Sequence, residues 1–240
     1  MRCPHCACAA KHAGSRIEPK DVSTRCHGVR RCAQATPKYE SQYREIRRSL
    51  LSGRYFPGQH LEPAALASDL GSSPTPVKFA LHRLVGEGLL IIHDWHGFQV
   101  PLPTELQLRG QYDWMEQMLI LAISLATTIT AHARQRPAAF SADDDLPKHT
   151  WKLFDAMARA SGLAPLHLDF RRSNDRLAPI RRAKQGLIEQ ATEEIAELTQ
   201  LWQARRIAPL QTALHAYFAR RQQLVPRIVA TLAERNNPRV

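Results

Sequence analysis

Beyond residue 32 the chain has no cysteine. All five, Cys3, Cys6, Cys8, Cys26 and Cys32, lie in the first 32 residues, so a disulfide framework cannot hold a fold of 240 residues together. Long apolar runs are also missing: Met118–Ile123 is far too short to span a bilayer and sits in a longer amphipathic stretch. Met1 to Lys38, punctuated by Pro, Gly and charges, lacks the basic-then-apolar order of a secretory signal. The expectation is a soluble, cytoplasmic protein with no membrane partner. A Gly-rich phosphate loop, a nucleophile elbow and a zinc-protease helix are all absent, which argues against an enzyme. Asp143, Asp144 and Asp145 read as a solvated acidic turn rather than a catalytic set.

What is present is a 44% hydrophobic composition, enough for a core in each of about two domains, and a net charge of +11. That balance favours a polyanionic partner. The charge is uneven: residues 1–38 carry +6, residues 39–103 are neutral, and residues 104–240 carry +5. Residues 1–38 have no apolar period and read as a disordered arm. The short spacing of Cys3 and Cys6, followed by Cys26, His27 and Cys32, has ligand types suited to zinc, so a zinc knuckle stands beside a disordered leader or an over-extended start as a reading of this arm.

From Tyr39 a helical period begins, with Tyr43, Ile46 and Leu50 recurring until Gly53. Pro57-Gly58 marks a turn, Leu61 falls in a short extended piece, and Pro63 opens a second helix carrying Leu66 and Leu70 up to Gly71. Ser72-Ser73-Pro74-Thr75 supplies turn and cap chemistry before a third helix opening at Thr75, with Val77, Ala80, Leu81, Leu84 and Val85 on one face. Two helices joined by a short Gly-containing turn form a helix-turn-helix. Leu89–Ile92 and Phe98–Val100 flank Asp94-Trp95-His96-Gly97 as a hairpin, the wing. After Pro101 and Pro103 the segments 104–136, 149–161, 166–204 and 207–234 read as helices, with punctuation at Pro147, Gly162, Pro165, Pro179, Gly186 and Pro209. The fold class expected is mainly α: a winged helix-turn-helix over 39–103 and an all-helical bundle over 104–240.

Ile46–Gly53, Pro57-Gly58, Leu66-Ala67, Leu70-Gly71, Ser73, Thr75–Lys78, Ala80-Leu81, Arg83-Leu84 and Glu87–Leu89 resemble the GntR winged-helix signature over about 60 residues. The helical remainder resembles, more loosely, the FadR C-terminal-like (FCD-type) domain. The first resemblance implies a recognition helix that enters the major groove of an operator and a wing tip that reaches the minor groove. The matching positions are Ser73, Thr75 and Lys78, with His96 and Gly97 at the wing tip. Two basic contacts common in that family are replaced, by Pro74 and by Ala64, so phosphate anchoring weakens unless Arg44, Arg47, Arg48 or the arm compensates. Phe79 stands where an acidic residue is usual. It could meet a thymine methyl group and favour an A·T-leaning operator, or pack against the wing or first helix.

FCD-type domains hold a divalent metal, which helps bind a small carboxylate effector, through an Asp-x-x-x-His pair and two later histidines. The resemblance places those positions at Trp151, Asp155, Glu194 and Tyr217; Trp cannot ligate, and the rest is a hard, oxygen-rich set poorly suited to zinc or nickel. No metal or other cofactor is expected, although a register shift could bring His149, His167 or His215 into play. Trp151, Asp155, Glu194 and Tyr217 become the candidate lining of an effector pocket, or of a filled core. The pairs Arg171-Arg172, Arg181-Arg182, Arg205-Arg206 and Arg220-Arg221 read as solvated faces or subunit seams, with an anion pocket as the alternative. The function expected is a homodimeric transcription regulator, repressor or activator, reading a double-stranded DNA operator under control of a small-molecule effector. The alternative is an effector-blind architectural or protein-interaction module.

Overall fold

The computed structural model describes residues 38–93, 97–129 and 144–236. The cysteine-rich arm, with its candidate zinc ligands, and His96 at the expected wing tip lie outside the described residues. The chain runs α1 (Lys38–Leu51), β1 (His60–Leu61), α2 (Pro63–Asp69), α3 (Pro74–Gly86), β2 (Ile91–His93), β3 (Gly97–Gln99), α4 (Glu105–Ile129), α5 (Leu146–Arg159), α6 (Ala164–Ala183), α7 (Ala191–Gln203) and α8 (Ile207–Asn236). It is a mainly helical fold with one small sheet, as the periodicity predicts.

The helix-turn-helix closes over a core of its own. Tyr43, Ile46 and Leu50 from α1 meet Leu66 and Ala67 from α2 and Val77, Ala80, Leu81 and Leu84 from α3. The four α3 side chains are fully buried, and sealing a Val or Leu away from water contributes about 1.5–3 kcal/mol. Polar groups fix the rim of this packing. The Tyr43 hydroxyl donates to the Glu87 carboxylate at 2.9 Å, the Arg83 guanidinium lies 3.8 Å over the Tyr43 ring, and Arg83 reaches Glu40 at 2.7 Å. Gln42 on α1 donates to the hydroxyl of Ser72 in the turn between α2 and α3.

The sheet has β3 at its centre, antiparallel to both neighbours, with Leu61 and Ile92 flanking Phe98. The short extended piece at Leu61 is therefore the third strand of the wing sheet, a pairing that local pattern does not reveal. α3 begins one residue earlier than expected, because Pro74 occupies the first helical position, where a missing N–H costs nothing.

A second core is built from α4 to α8, with Leu119, Phe154, Phe170, Leu214 and Phe218 among its fully buried side chains. The helical segment 166–204, with its expected punctuation at Gly186, forms two helices that part after Ala183, and Gly186 between them takes φ +87. Pro179 and Pro226 lie inside α6 and α8. In the acidic turn Asp143 lies outside the described residues, Asp145 is exposed as expected, and the Asp144 side chain is buried. Asp145 caps α5 by accepting from the Lys148 amide and pairs with Arg182, while Asp144 pairs with Lys148 and Lys152. Burial raises the Asp145 pKa, but Arg182 and the Lys148 amide outweigh it, and the carboxyl sits below its ordinary value.

The two cores dock through α6. Arg47 on α1 pairs with Asp175, Arg182 donates to the Leu51 carbonyl at 2.8 Å, and Arg176 donates to the Glu87 carbonyl at 3.2 Å. Asn236, at the end of α8, donates to the Pro57 carbonyl at 2.7 Å. Among the described residues no helix is long and apolar enough to cross a membrane.

Candidate functional site

The first turn of α3 is an exposed polar edge on a buried apolar stripe. Ser73, Thr75, Lys78 and Phe79 all face outward, and Phe79 is 62% exposed. That exposure favours the outward reading of Phe79 over packing against α1. Ser73 sits at the N-cap in extended conformation with no side-chain capping bond, and its exposed hydroxyl can donate outward. Pro74 and Pro76 lack N–H groups, which leaves the Thr75 amide as the backbone donor among the first three helical positions. Gly97 opens β3 with φ +68 and open space where a Cβ would stand, the backbone freedom a tight hairpin tip requires.

Of the arginines offered as compensation for the missing anchors, Arg47 is committed to Asp175, whereas Arg44 and Arg48 are largely exposed and pair with Glu40 and Glu45 on α1. They face, with Arg171, Arg172 and Lys148, an open cleft of about 1020 Å³ between α1 and the α5–α6 pair.

The four candidate effector residues do not line one cavity. Trp151 borders the basic cleft and donates from its indole N–H to Asp175 at 2.9 Å. Asp155 is buried and engaged by His167 at 2.8 Å and by Arg159. Glu194 and Tyr217 do come together, on the α7–α8 face, where Glu194 is held by Arg220 and by Arg221 at 2.6 Å. This set does not fit a divalent metal: Trp151 offers no ligand, and each carboxylate is already met by cations. The candidate histidines are dispersed too, with His149 beside Thr199, His167 on Asp155 and His215 on Glu116. Among the described residues no group of three or more His, Cys, Asp or Glu side chains could hold a metal ion.

The arginine pairs split in a way the solvated-face reading does not anticipate. Arg171, Arg172, Arg205 and Arg206 are exposed, but Arg181 and Arg221 are buried, at 6% and 2% exposure, together with Lys184 at 7%. All three line a cavity of about 300 Å³ with Tyr217, Thr150 and Ile195. Burial pushes the Lys184 ammonium well below its ordinary pKa, and Arg221 and Arg181 add to the shift. Burial likewise lowers Arg181. Arg221 stays above its ordinary value, because Tyr217 and Glu194 outweigh its burial. A signal for this cluster lay in the sequence: Arg181 continues the Asn174–Leu177–Ala178 face of α6, and Arg221 continues the Leu214–Tyr217–Phe218 face of α8, both inward.

Comparison with known proteins agrees with this geometry. Residues 38–100 match the family model described as bacterial regulatory proteins, gntR family. Over 90 residues the chain is 31% identical to the HTH-type transcriptional regulator YdhC of Bacillus subtilis strain 168, a match covering 38% of this chain and 40% of that protein's length. Among solved structures, E. coli McbR/YncC superposes with a TM-score of 0.59 at 19% identity, over 79% of this chain and 97% of that one. A GntR transcriptional regulator from Rhodococcus sp. RHA1 superposes with a TM-score of 0.62 at 14% identity, over 79% and 98%. At these identities the structural likeness establishes a shared fold.

Proposed function

We propose that this chain, whose residues 38–100 carry the winged helix-turn-helix of the gntR family, is a homodimeric, sequence-specific transcription regulator governed by a small molecule bound among its C-terminal helices. The observation that carries the reading is the solvent-facing N-terminal turn of α3, with Ser73, Thr75, Lys78 and Phe79 exposed above a closed core. A duplex supplies what that edge lacks. Phosphate oxygens meet the Ser73 and Thr75 donors, Lys78 reaches a phosphate or a guanine edge, and the Phe79 ring finds apolar contact at a thymine methyl group. The Gly97 turn, with His96 beside it, is the wing contact.

Division of the chain at residues 103–104 into a reader and a regulatory domain is supported by the two separate cores. We read the helical part as an FCD-type domain in which side chains have displaced the metal site. Dimerisation is supported by α4, where Leu106, Gly110, Trp114 and Leu121 recur on one exposed face, with Leu106 82% and Trp114 56% exposed. Two readers related by a two-fold axis suit a pseudo-palindromic operator.

Genome-wide footprinting of the purified protein should yield discrete palindromic sites. On such a site Lys78→Ala weakens binding by about tenfold and flattens the salt dependence. Unchanged affinity and slope would remove Lys78 from the interface, and the absence of any preferred site would leave the effector-blind module as the better description.

A further inference from the structure

The cleft of about 1020 Å³ between α1 and the α5–α6 pair is walled by nine Lys and Arg side chains, against two carboxylates in the same wall, Glu87 and Asp175. Further carboxylates stand behind that wall and answer some of the cations better than others. Arg47 is held by Asp175, Arg182 by Asp145 and the Leu51 carbonyl, and Lys148 and Lys152 share Asp144 at 2.9 and 2.5 Å. The outer arginines are held less firmly. Arg44 meets Glu40 at 3.5 Å, but Arg83, lying over the Tyr43 ring, takes the same carboxylate at 2.7 Å and Glu87 at 3.4 Å. Arg48 pairs with Glu45 at 2.9 Å and Arg172 with Asp169 at 3.3 Å, and both arginines are exposed. Arg171 lies 5.9 Å over the Trp151 ring and its charge reaches Asp175, yet among the described residues it makes no ion pair. Among the described residues seven carboxylates thus answer nine cations, and a surplus of two positive charges faces the cleft.

Arg44 and Arg48 stand one turn apart on α1, and Leu168, Arg171 and Arg172 fall within about one turn of α6 in the other wall. Exposed ion pairs contribute about 0–1 kcal/mol, so a phosphate that offers these guanidinium forks bidentate bonds displaces them readily. Apolar surface stands beside the forks: Leu168 is 52% exposed, and Trp151 is half-buried under Arg171. The cleft is also apart from the operator edge, since Arg83 lies eight residues past Thr75, about 12 Å along α3. We propose that this cleft binds a nucleotide, its phosphate held between Arg44 and Arg48 on α1 and Arg171 and Arg172 on α6, with its base against Leu168 and Trp151. A phosphate monoester carries about −1.5 to −2 at pH 7, which matches the surplus. The volume lies at the upper end of the range for small-ligand sites and leaves room for a sugar and base that inorganic phosphate would leave empty. Arginine and tryptophan planes both accept a stacked base. One wall belongs to the reader and the other to the bundle, so the site is separate from any pocket among the bundle helices.

The test uses no operator, so its failure and failure of the regulator reading are separate results. The full chain, in EDTA and about 0.15 M salt, where exposed charges more than about 8 Å apart are largely screened, is titrated calorimetrically. The probes are AMP, ATP, adenosine, inorganic phosphate and a single-stranded oligothymidylate. AMP or ATP should bind one site per chain, with adenosine and inorganic phosphate each weaker by about tenfold or more, because each lacks one half of the contacts. Arg44→Gln and Arg171→Gln, both on exposed side chains, should each weaken nucleotide binding by about tenfold, and Leu168→Ser by about threefold. Arg227→Gln, on an exposed arginine of α8, leaves it unchanged. The proposal is overturned if neither nucleotide binds, if adenosine or inorganic phosphate binds as tightly, or if Arg44→Gln, Arg171→Gln and Leu168→Ser leave the affinity as it was. It is also overturned if Arg227→Gln weakens binding as much as Arg171→Gln does, which would assign the effect to overall charge. Binding of the oligothymidylate where both mononucleotides fail would overturn it too, by making the cleft a nucleic-acid groove.

Discussion

Asp175 shows how a single ionisable group can be costly and still useful. It lies buried on α6, takes the Trp151 indole N–H at 2.9 Å and pairs with Arg47 from the reader. Burial raises its pKa, and the opposing pulls of Arg47 and Trp151 do not cancel that rise. A carboxyl raised in the folded state contributes stability below the unfolded value of 3.8 and loses it as pH climbs through the folded value, so its charge burdens the fold at neutral pH. Arg47→Leu removes the main compensation. Chemical denaturation at pH 7 should show a loss of about 3 kcal/mol, shrinking as pH falls toward 4 and Asp175 takes up its proton. A loss independent of pH would assign the effect to Arg47 packing rather than to its charge. The same balance of burial against partnership separates Arg181 from its neighbour Arg182: one turns into the cavity, the other reaches back to the reader.

Among the elements, those with a local signal were legible and those made by pairing were not. The α3 face at Val77, Ala80, Leu81 and Leu84 follows from 3.6-residue spacing alone, and all four are buried. β1 spans two residues and exists because β3 pairs with it, so its role in the wing sheet is a tertiary fact. The break between α6 and α7 is marked by Gly186, although the apolar period continues on both sides of it. For the candidate site, the outward residues of α3 were readable from helix geometry, whereas the cation cavity joins α6 to α8 across 40 positions, from Arg181 to Arg221, and only the fold brings them together. Turns carry their own information. Gly88 holds φ +71 just after α3, and a Cβ there would stand 2.6 Å from the Arg176 guanidinium that bonds to the Glu87 carbonyl. Gly88→Ala therefore meets both backbone strain and displacement of that arginine. Thermal denaturation should register a loss of about 1–3 kcal/mol, and Arg176→Ala in the same background should recover part of it. No recovery would mean that backbone strain carries the whole cost.

At the scale of the molecule, α6 touches everything that a regulated reader needs to connect. Arg181 and Lys184 face the cavity beside Tyr217, while Asp175, Arg176 and Arg182 grip Arg47, the Glu87 carbonyl and the Leu51 carbonyl at the ends of α1 and α3. A helix is stiff along its axis, so on the proposed function a ligand among the bundle helices that moved α6 would also shift the anchor points of the reader and so link effector and operator affinities. Arg176→Ala/Arg182→Ala cuts two of those anchors and touches neither the cavity nor the exposed turn of α3. In the variant, effector affinity and ligand-free operator affinity should stay within about twofold of the parent, while the ligand-dependent change in operator affinity that the proposed function requires, about 5–150-fold in typical allosteric pairs, collapses toward one. Limited proteolysis offers a reading that needs no ligand, since loosening the dock should speed cleavage in the Pro101–Pro103 linker between the two cores. If the double variant kept the full ligand response, the signal would have to bypass α6, and the Asn236 contact with the Pro57 carbonyl is the other described hydrogen bond that ties a bundle helix to the reader's first turn. Asn236→Ala, compared with the α6 variant in the same gel-shift series, separates those two routes.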